Sequence, residues 1–238
     1  PGETKIETVV KEVPIVVTED KLIVEVINNT SPGAVRITDS EGQTLGTGFI
    51  VNVNGLVATA ANLLPAGSSG AEDATSRSGR NSRNNNTEDP KYQIYVGNME
   101  VFPATIIRTS TTTDVALLQM DLGTLVSVSQ IAGTGGAGFR TPLVLTLDST
   151  EALPGQTVVA LGLPDQGPIN ISGGLVSSVV TDESGTDLIR TTAANVSNIG
   201  GPILSTKGKV LGLSREVGVA VTSKMISQAI ASISQPSS

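Results

Sequence analysis

Residues 191–204 read Thr-Thr-Ala-Ala-Asn-Val-Ser-Asn-Ile-Gly-Gly-Pro-Ile-Leu. Two glycines and a proline separate a polar run from an apolar run, which is typical of a tight loop that leads into a buried segment. The following residues, Ser205-Thr-Lys-Gly208, predict a turn, and Lys209-Val-Leu-Gly-Leu213 predicts a strand. This part of the chain is therefore predicted to be a loop fixed between elements of β-structure.

The same signals recur along the chain. Residues 44–53 alternate between apolar and polar side chains, Asn54-Gly55 is a strong hairpin signal, and residues 56–61 provide the partner strand. Further strands are predicted at the segments 34–37, 92–96, 100–108, 143–147, 153–162, 170–179, 188–191 and 218–221. The pattern indicates an all-β fold.

Helices are predicted only near the two ends. One begins at the acidic pair Glu19-Asp20, and a closing helix over residues 222–233 has Thr222 or Ser223 as its N-cap and Ile233 on its apolar face. Residues 1–20 are expected to be an extended leader or linker, or else an edge strand. Residues 65–90 are polar and lack apolar periodicity, so we expect a mobile loop insertion.

Composition limits the possible functions of this 238-residue chain. Hydrophobic residues make up 38% and aromatic residues 2%, so Val, Ile, Leu and Ala must fill the core. The net charge of −7 argues against a nucleic-acid-binding surface. Residues 133–138 are glycine-rich but lack the lysine of a phosphate-binding loop, so they do not indicate nucleotide binding.

The sequence contains neither histidine nor cysteine. It therefore lacks the commonest general base near neutral pH and cannot run a Ser-His-Asp or Cys-His mechanism by itself. Thiolate and imidazole metal sites are excluded for the same reason. We predict no cofactor and no metal.

Three segments carry a resemblance to HtrA-type (Deg) trypsin-like serine proteases. That family writes its nucleophile loop as Asn-Pro-Gly-Asn-Ser-Gly-Gly-Pro, and this chain has Asn195-Val-Ser-Asn-Ile-Gly-Gly-Pro202, with Ile199 in place of the serine. The hairpin over residues 46–64 resembles the family's histidine hairpin, with Asn62 at the histidine position. Asp114, which precedes the strand Val-Ala-Leu-Leu, matches the triad aspartate.

The resemblance covers residues 22–233 and implies a specific architecture. It implies two six-stranded antiparallel β-barrels with short N-terminal and C-terminal helices, formed by a protease-fold domain over residues 21–235 without the family's PDZ domain. The implied triad positions are Asn62, Asp114 and Ile199, of which only Asp114 keeps its chemistry. A structural hydrogen bond between Asn62 and Asp114 is possible.

The implied oxyanion hole has also changed. It would be formed by the backbone N–H groups of Ser197 and Ile199, and the family has glycine at the first of these positions. A serine at positive φ would be strained, so either Ser197 is strained or the loop has relaxed.

We expect a pseudoprotease of the trypsin-like HtrA type that does not hydrolyse peptides. The resemblance implies that Leu213, Ser214, Arg215 and Glu216 form an edge that receives an extended peptide or protein segment; a purely structural role in the cell envelope is the other reading. An alternative is a serine endopeptidase with residual or rewired activity, using Ser197, Ser172 or Thr191 as nucleophile and Lys207 or Lys209 as base.

The remaining expectations concern the cellular setting. Family members trimerise through aromatic residues near the N-terminus, and here the first aromatic residue is Phe49, so we expect a monomer or weak oligomer. No apolar run reaches the roughly 18 residues needed to span a bilayer, so membrane contact by this segment itself is not expected. The resemblance implies an extracytoplasmic domain, anchored by a removed N-terminal segment.

Overall fold

The computed structural model describes residues 19–65, 92–97, 100–110, 113–123, 126–127, 143–165 and 167–233. Residues 1–18 of the predicted leader, nearly all of the predicted loop at 65–90, and the glycine-rich residues 133–138 lie outside the described residues.

Seven antiparallel strands build the first half of the molecule. The strands are β1 (Ala34–Asp39), β2 (Thr44–Ile50), β3 (Leu56–Ala60), β4 (Tyr92–Val96), β5 (Glu100–Ser110), β6 (Val115–Met120) and β7 (Val126–Ser127). Their order in the sheet is β4-β1-β2-β3-β6-β5-β7. Pairing between β4 and β5 closes β1 to β6 into a barrel, and β7 pairs with β5 outside it.

Six antiparallel strands build the second half: β8 (Thr157–Gly162), β9 (Asn170–Thr181), β10 (Asp187–Thr191), β11 (Pro202–Ser205), β12 (Val210–Glu216) and β13 (Val219–Thr222). They form a closed barrel in the order β10-β13-β12-β11-β8-β9. The predicted fold of two six-stranded antiparallel barrels is thereby confirmed.

One predicted strand is wrong. Residues 143–147 form an extended connector between the barrels, with a single bridge from Leu147 to Val210. Within it, the Leu145 N–H donates to the Ile50 carbonyl at 2.9 Å, and the Leu145 side chain is buried. Because the connector bonds at isolated points to both barrels, its apolar alternation reflects burial rather than membership of a sheet.

Two helices flank the barrels, as predicted: α1 (Glu19–Thr30) and α2 (Ser223–Ile233). The buried face of α2 includes Met225, Ile226 and Ala229, whereas Ile233 is 40% exposed and does not belong to it. The Ser223 hydroxyl donates to the Asp148 carbonyl at 2.6 Å, so it fastens the helix to the connector instead of serving as the predicted N-cap.

The largest apolar cluster lies where the two barrels meet. It combines Phe49 and Leu117 of the first barrel with Leu161 and Leu213 of the second, and each of these side chains is 0% exposed. Each barrel also has its own core, one around Ile94 and Phe102 and one around Ile189 and Ile203, so the junction adds a third. The deeper part of the boundary between the two barrels is therefore filled by packed side chains.

Candidate functional site

The three predicted triad positions lie on three loops that meet at the junction of the barrels. Asn62 lies in a 3-10 turn (Ala61–Leu63) directly after β3, and Asp114 precedes β6, the strand that pairs with β3. The Ala61 N–H donates to the Asp114 carbonyl at 2.8 Å, which holds these two loops together. Ile199 comes from the second barrel, and its carbonyl accepts from the Thr47 N–H of β2 at 3.2 Å.

Arg215 of β12 connects the first two positions. Its Nε lies 2.7 Å from Oδ2 of Asp114, with the two side chains 28% and 24% exposed. Its backbone carbonyl accepts from the Asn62 side-chain amide at 3.0 Å. Asn62 and Asp114 are therefore joined through Arg215, and the guanidinium from the second barrel pairs with the one acid among the three triad positions.

Asp114 also has an unusual backbone. Its φ of 53° lies in the left-handed region, and it is the one non-glycine residue with positive φ among those that the structure describes. Aspartate tolerates this conformation better than most residues, although at some energetic cost. The ion pair with Arg215 fixes the side chain of Asp114 and so helps to stabilise this backbone conformation.

In the loop that would form the oxyanion hole, the Ser197 N–H is not free. Ser197 lies in a 3-10 turn (Val196–Asn198), and its N–H donates to the side-chain oxygen of Asn195 at 2.8 Å. The Asn195 N–H in turn donates to the Asn198 side-chain oxygen at 2.9 Å, so the pair forms a capping box. Of the two readings offered by the sequence, the relaxed loop is the one observed, and the Ser197 N–H is engaged within the chain.

Asn198 anchors this loop from inside. It is fully buried; its side-chain oxygen also accepts from the Ser214 hydroxyl at 3.0 Å, and its amide donates to the Ala193 carbonyl at 3.0 Å. A buried amide with these partners is satisfied, and losing any one would leave a buried polar group unpaired. Hydrogen bonds within the chain therefore hold this loop in its conformation.

The chemistry of the three triad positions follows from these contacts. Ile199 offers only hydrocarbon, and its side chain packs partly buried against the cluster between the barrels. Asn62 is exposed, and its amide neither gains nor loses a proton near neutral pH. Of the three positions, only Asp114 therefore carries a group that can take up or release a proton, and that group is paired with Arg215.

Two of the alternative nucleophiles take part in hydrogen bonds within the chain. The Ser172 hydroxyl accepts from the Asn195 side-chain amide, and the buried Thr191 hydroxyl accepts from the Ala193 N–H at 3.2 Å. Lys207 and Lys209 follow β11, which carries the chain roughly 10 Å away from the loop over its four residues. Ser197 is exposed, but its turn precedes the first residue of β11, whereas the two lysines follow the last one.

The predicted peptide edge is partly occupied. The Leu213 and Ser214 side chains are buried. The Ser214 N–H donates to the Gly201 carbonyl at 2.9 Å, and its carbonyl accepts from the Gly200 N–H at 2.7 Å. Arg215 is half-buried and its carbonyl is bonded to the Asn62 amide, whereas Glu216 is exposed, so the accessible part of the edge begins at Glu216.

Two closed antiparallel barrels with three loops converging between them define the architecture of trypsin-like proteases. The chain belongs to the trypsin-like peptidase domain family, whose model matches residues 46–213, and its curated relatives are of the HtrA/Deg type. It is 26% identical over 183 residues to a probable periplasmic DegP-like serine endoprotease of Pseudomonas putida F1, covering 74% of this chain. A DegP-like relative from Marinomonas sp. MWYL1 is 26% identical over 194 residues, covering 78% of this chain.

The chain spans about a third of the length of these relatives, namely 30% and 33%. Among solved structures it is similar to two crystal structures of Rv3671c in an inactive form, and one of these is a serine-to-alanine mutant from M. tuberculosis H37Rv. Both have a TM-score of 0.62, with 22% and 21% identity; they cover 95% and 94% of this chain and 100% of their own. At this identity the likeness concerns the fold alone.

Sequence reasoning missed two features of the site. The ion pair between Arg215 and Asp114 joins residues about a hundred positions apart, and the sequence carries no signal for it. Of the capping box of Asn195 and Asn198, the cap by Asn195 was predictable, because asparagine is a favoured N-cap residue. Among the described helices, none is both long and apolar enough to cross a membrane.

Proposed function

We propose that this chain is a pseudoprotease, a member of the trypsin-like family that holds polypeptide without cleaving it. The observation that carries the proposal is the state of the cleft, where the chain lacks histidine and positions 62 and 199 hold an amide and a hydrocarbon. The engaged Ser197 N–H supports it, because an oxyanion needs free donors aimed at the reacting carbonyl. Losing nucleophile and base together removes most of the roughly 10⁶-fold acceleration that a triad gives.

Two activity measurements test the first half of this proposal. Casein turnover and labelling by a fluorophosphonate are both expected to stay at the level of a buffer control. Measurable labelling of the native chain would instead support the alternative of a serine endopeptidase with rewired chemistry.

The second half of the proposal is that the accessible edge binds an extended segment. A trypsin-like cleft holds its substrate as an added strand through backbone hydrogen bonds, which do not require a triad. The exposed Glu216 ends β12, and the apolar side chain of Val217, which follows it, is 60% exposed. An apolar rim beside a strand edge favours an extended peptide with apolar side chains.

A peptide array tests this edge with a matched pair of variants. Val217→Asp is expected to lower binding of the peptides that the native chain captures. Val53→Asp is the control, because Val53 has nearly the same exposure, 62%, and lies at the β2–β3 turn of the other barrel. If the native chain captures no peptide, or if both variants reduce capture equally, peptide binding at this edge is wrong and a structural role in the envelope gains support.

We also propose an extracytoplasmic location, since the relatives are named as periplasmic proteins. Fractionation of cells that express the complete protein is expected to place it outside the cytoplasm. Recovery in the cytoplasmic fraction would contradict this.

A further inference from the structure

The backbone carbonyl of Arg215 lies just beyond the part of β12 that is bonded to the neighbouring loop. The N–H and the carbonyl of Ser214, one residue earlier, bond to Gly201 and Gly200. The Arg215 carbonyl instead accepts from the side-chain amide of Asn62 at 3.0 Å, so its partner is a side chain of the first barrel rather than backbone. This acceptor on the predicted peptide edge is therefore occupied by the chain itself.

The surrounding structure holds both partners of this hydrogen bond in place. The Arg215 guanidinium is paired with Asp114 at 2.7 Å, which fixes the residue that carries the acceptor. The Asp114 carbonyl accepts from the Ala61 N–H at 2.8 Å, and Ala61 directly precedes Asn62, the residue that carries the donor. The contacts form a closed ring of four residues, which presents the Asn62 amide to the Arg215 carbonyl.

The Asn62 amide is nevertheless a partner that another donor can replace. Asn62 is exposed, so its amide can bond to water when it leaves the carbonyl. The backbone N–H of an extended peptide is a donor of the same kind, and added strands bind sheet edges through such groups. Because the carbonyl is already bonded, a peptide that binds there exchanges one hydrogen bond for another and gains less than it would from a free acceptor.

We propose that Asn62 is an intramolecular competitor for the peptide edge, and that a bound peptide displaces its amide from the Arg215 carbonyl. The displacement lengthens the accessible edge by one residue, from Glu216 back to Arg215. The amide at position 62 thereby lowers the affinity of the edge and regulates binding. This inference rests on the proposed function, since it requires that the edge binds an extended peptide.

The test compares the native chain with Asn62→Ala, which removes the donor and leaves the Arg215 carbonyl in place. Peptides that the native chain captures from an array are titrated against both chains by fluorescence anisotropy. Asn62→Ala is expected to bind about threefold to tenfold tighter, the scale of one hydrogen bond that no longer has to be broken. Asn28→Ala, which removes another exposed amide, on α1, should bind like the native chain. Circular dichroism reports whether each variant is folded.

Ester substitution in the peptide identifies the N–H that replaces the amide. Each peptide bond of a captured peptide is replaced in turn by an ester, which removes one N–H donor without adding bulk. At one position the ester should remove most of the advantage of Asn62→Ala, because in that variant the Arg215 carbonyl no longer has the amide as its partner. An effect of the variant on the structure in general would change the binding of all the esters alike.

The outcomes separate this inference from the proposed function. If the native chain captures no peptide, the proposed function is wrong and the inference fails with it. If peptides bind but Asn62→Ala binds them no tighter, if Asn28→Ala tightens binding to the same extent, or if no ester removes the advantage, the inference is overturned while the proposed peptide binding stands.

Discussion

At the scale of single residues, Arg215 has the largest consequence for the cleft. Its guanidinium joins the second barrel to Asp114, the acid among the triad positions, and its carbonyl accepts from the Asn62 amide. The pair with Asp114 is partly shielded from water, so it contributes more than a fully solvated ion pair would.

Arg215→Met is accordingly expected to lower the free energy of unfolding by about 1 kcal/mol, because it leaves Asp114 without its cation at a strained φ. The measurement is urea denaturation at neutral pH. Lys224→Met is the matched control, since it breaks the pair with Asp187 whose lysine is 62% exposed, and its effect should be smaller. An equal or larger loss in the control would contradict this account of Arg215.

Asn198 gives a second prediction at this scale. Asn198→Ala removes the partners of the Asn195 N–H, the Ser214 hydroxyl and the Ala193 carbonyl, so a loss of about 2–3 kcal/mol is expected. Asn195→Ala removes a cap to a partly exposed turn and the bond from its amide to the Ser172 hydroxyl, and should cost about 1 kcal/mol. Thermal denaturation of the two variants decides between this order and its reverse.

At the scale of elements, the β9–β10 hairpin and α2 form an acid-sensitive contact. A hydrogen bond from Lys224 and another from the Thr181 hydroxyl hold the pKa of Asp187 below its ordinary value. A carboxyl whose pKa is lower in the folded state stabilises the fold above its unfolded pKa. That contribution is lost as the pH falls through the folded value.

Asp187→Asn is therefore expected to be less stable than the native chain at pH 7. The difference should begin to shrink below about pH 4, where the unfolded carboxyl takes up its proton, and disappear once the pH is below the lowered pKa of the folded carboxyl. Urea denaturation at pH 7, 4 and 2.5 measures this. Lys224→Met should show a weaker form of the same trend, because it removes the main cause of the lowered pKa. A difference that stays constant over this pH range would show that Asp187 acts through shape alone.

At the scale of the whole molecule, the two barrels share one packed junction and several direct bonds. Thr47 is central to them: its hydroxyl accepts from the Leu163 N–H at 2.8 Å, and its N–H bonds to the Ile199 carbonyl. Gly200 sits against the same strand, where an added Cβ would lie 2.1 Å from the Thr47 carbonyl oxygen. Because each barrel supplies part of the junction core, we expect the barrels to unfold together.

Two glycine variants test the importance of that approach. Gly200 and Gly218 have nearly equal φ values of 81° and 78°, but an added Cβ at Gly218 meets nothing within 4 Å. Gly218→Ala should therefore cost only the backbone penalty of about 1–2 kcal/mol. Gly200→Ala should cost at least about 3 kcal/mol, since crowding is added to it, and calorimetry should still show one cooperative transition. Two separate transitions would contradict a shared junction.

The oligomeric state is a further expectation at this scale. We propose a monomer or a weak oligomer, because the sequence up to Phe49 lacks the aromatic residues on which trimerisation in the resembled family rests. Light scattering at micromolar concentration measures the mass directly. A trimer at that concentration would overturn the proposal.

Much of this fold was predictable because its signals are local. Alternating side chains and the Asn54-Gly55 turn predict the β2–β3 hairpin, and the motif around Ile199 predicts which loop reaches the cleft. The connector at residues 143–147 was misassigned, because periodicity reports which side is buried and not whether a neighbouring strand pairs with it. The partner of Asp114 could not be predicted, since only the closed barrels bring β12 beside the loop before β6.

The arginine beside Asp114 makes the loss of chemistry difficult to undo by single steps. A serine at position 199 would find no proton acceptor, and an imidazole at position 62 would compete with a guanidinium for the acid that must orient it. Neither change alone provides a working triad, and a histidine at position 62 would meet an aspartate that is already paired with Arg215. Under the proposed function, descendants of this sequence are free to vary the surface of the cleft, while hydrolysis by a triad would require several coordinated changes.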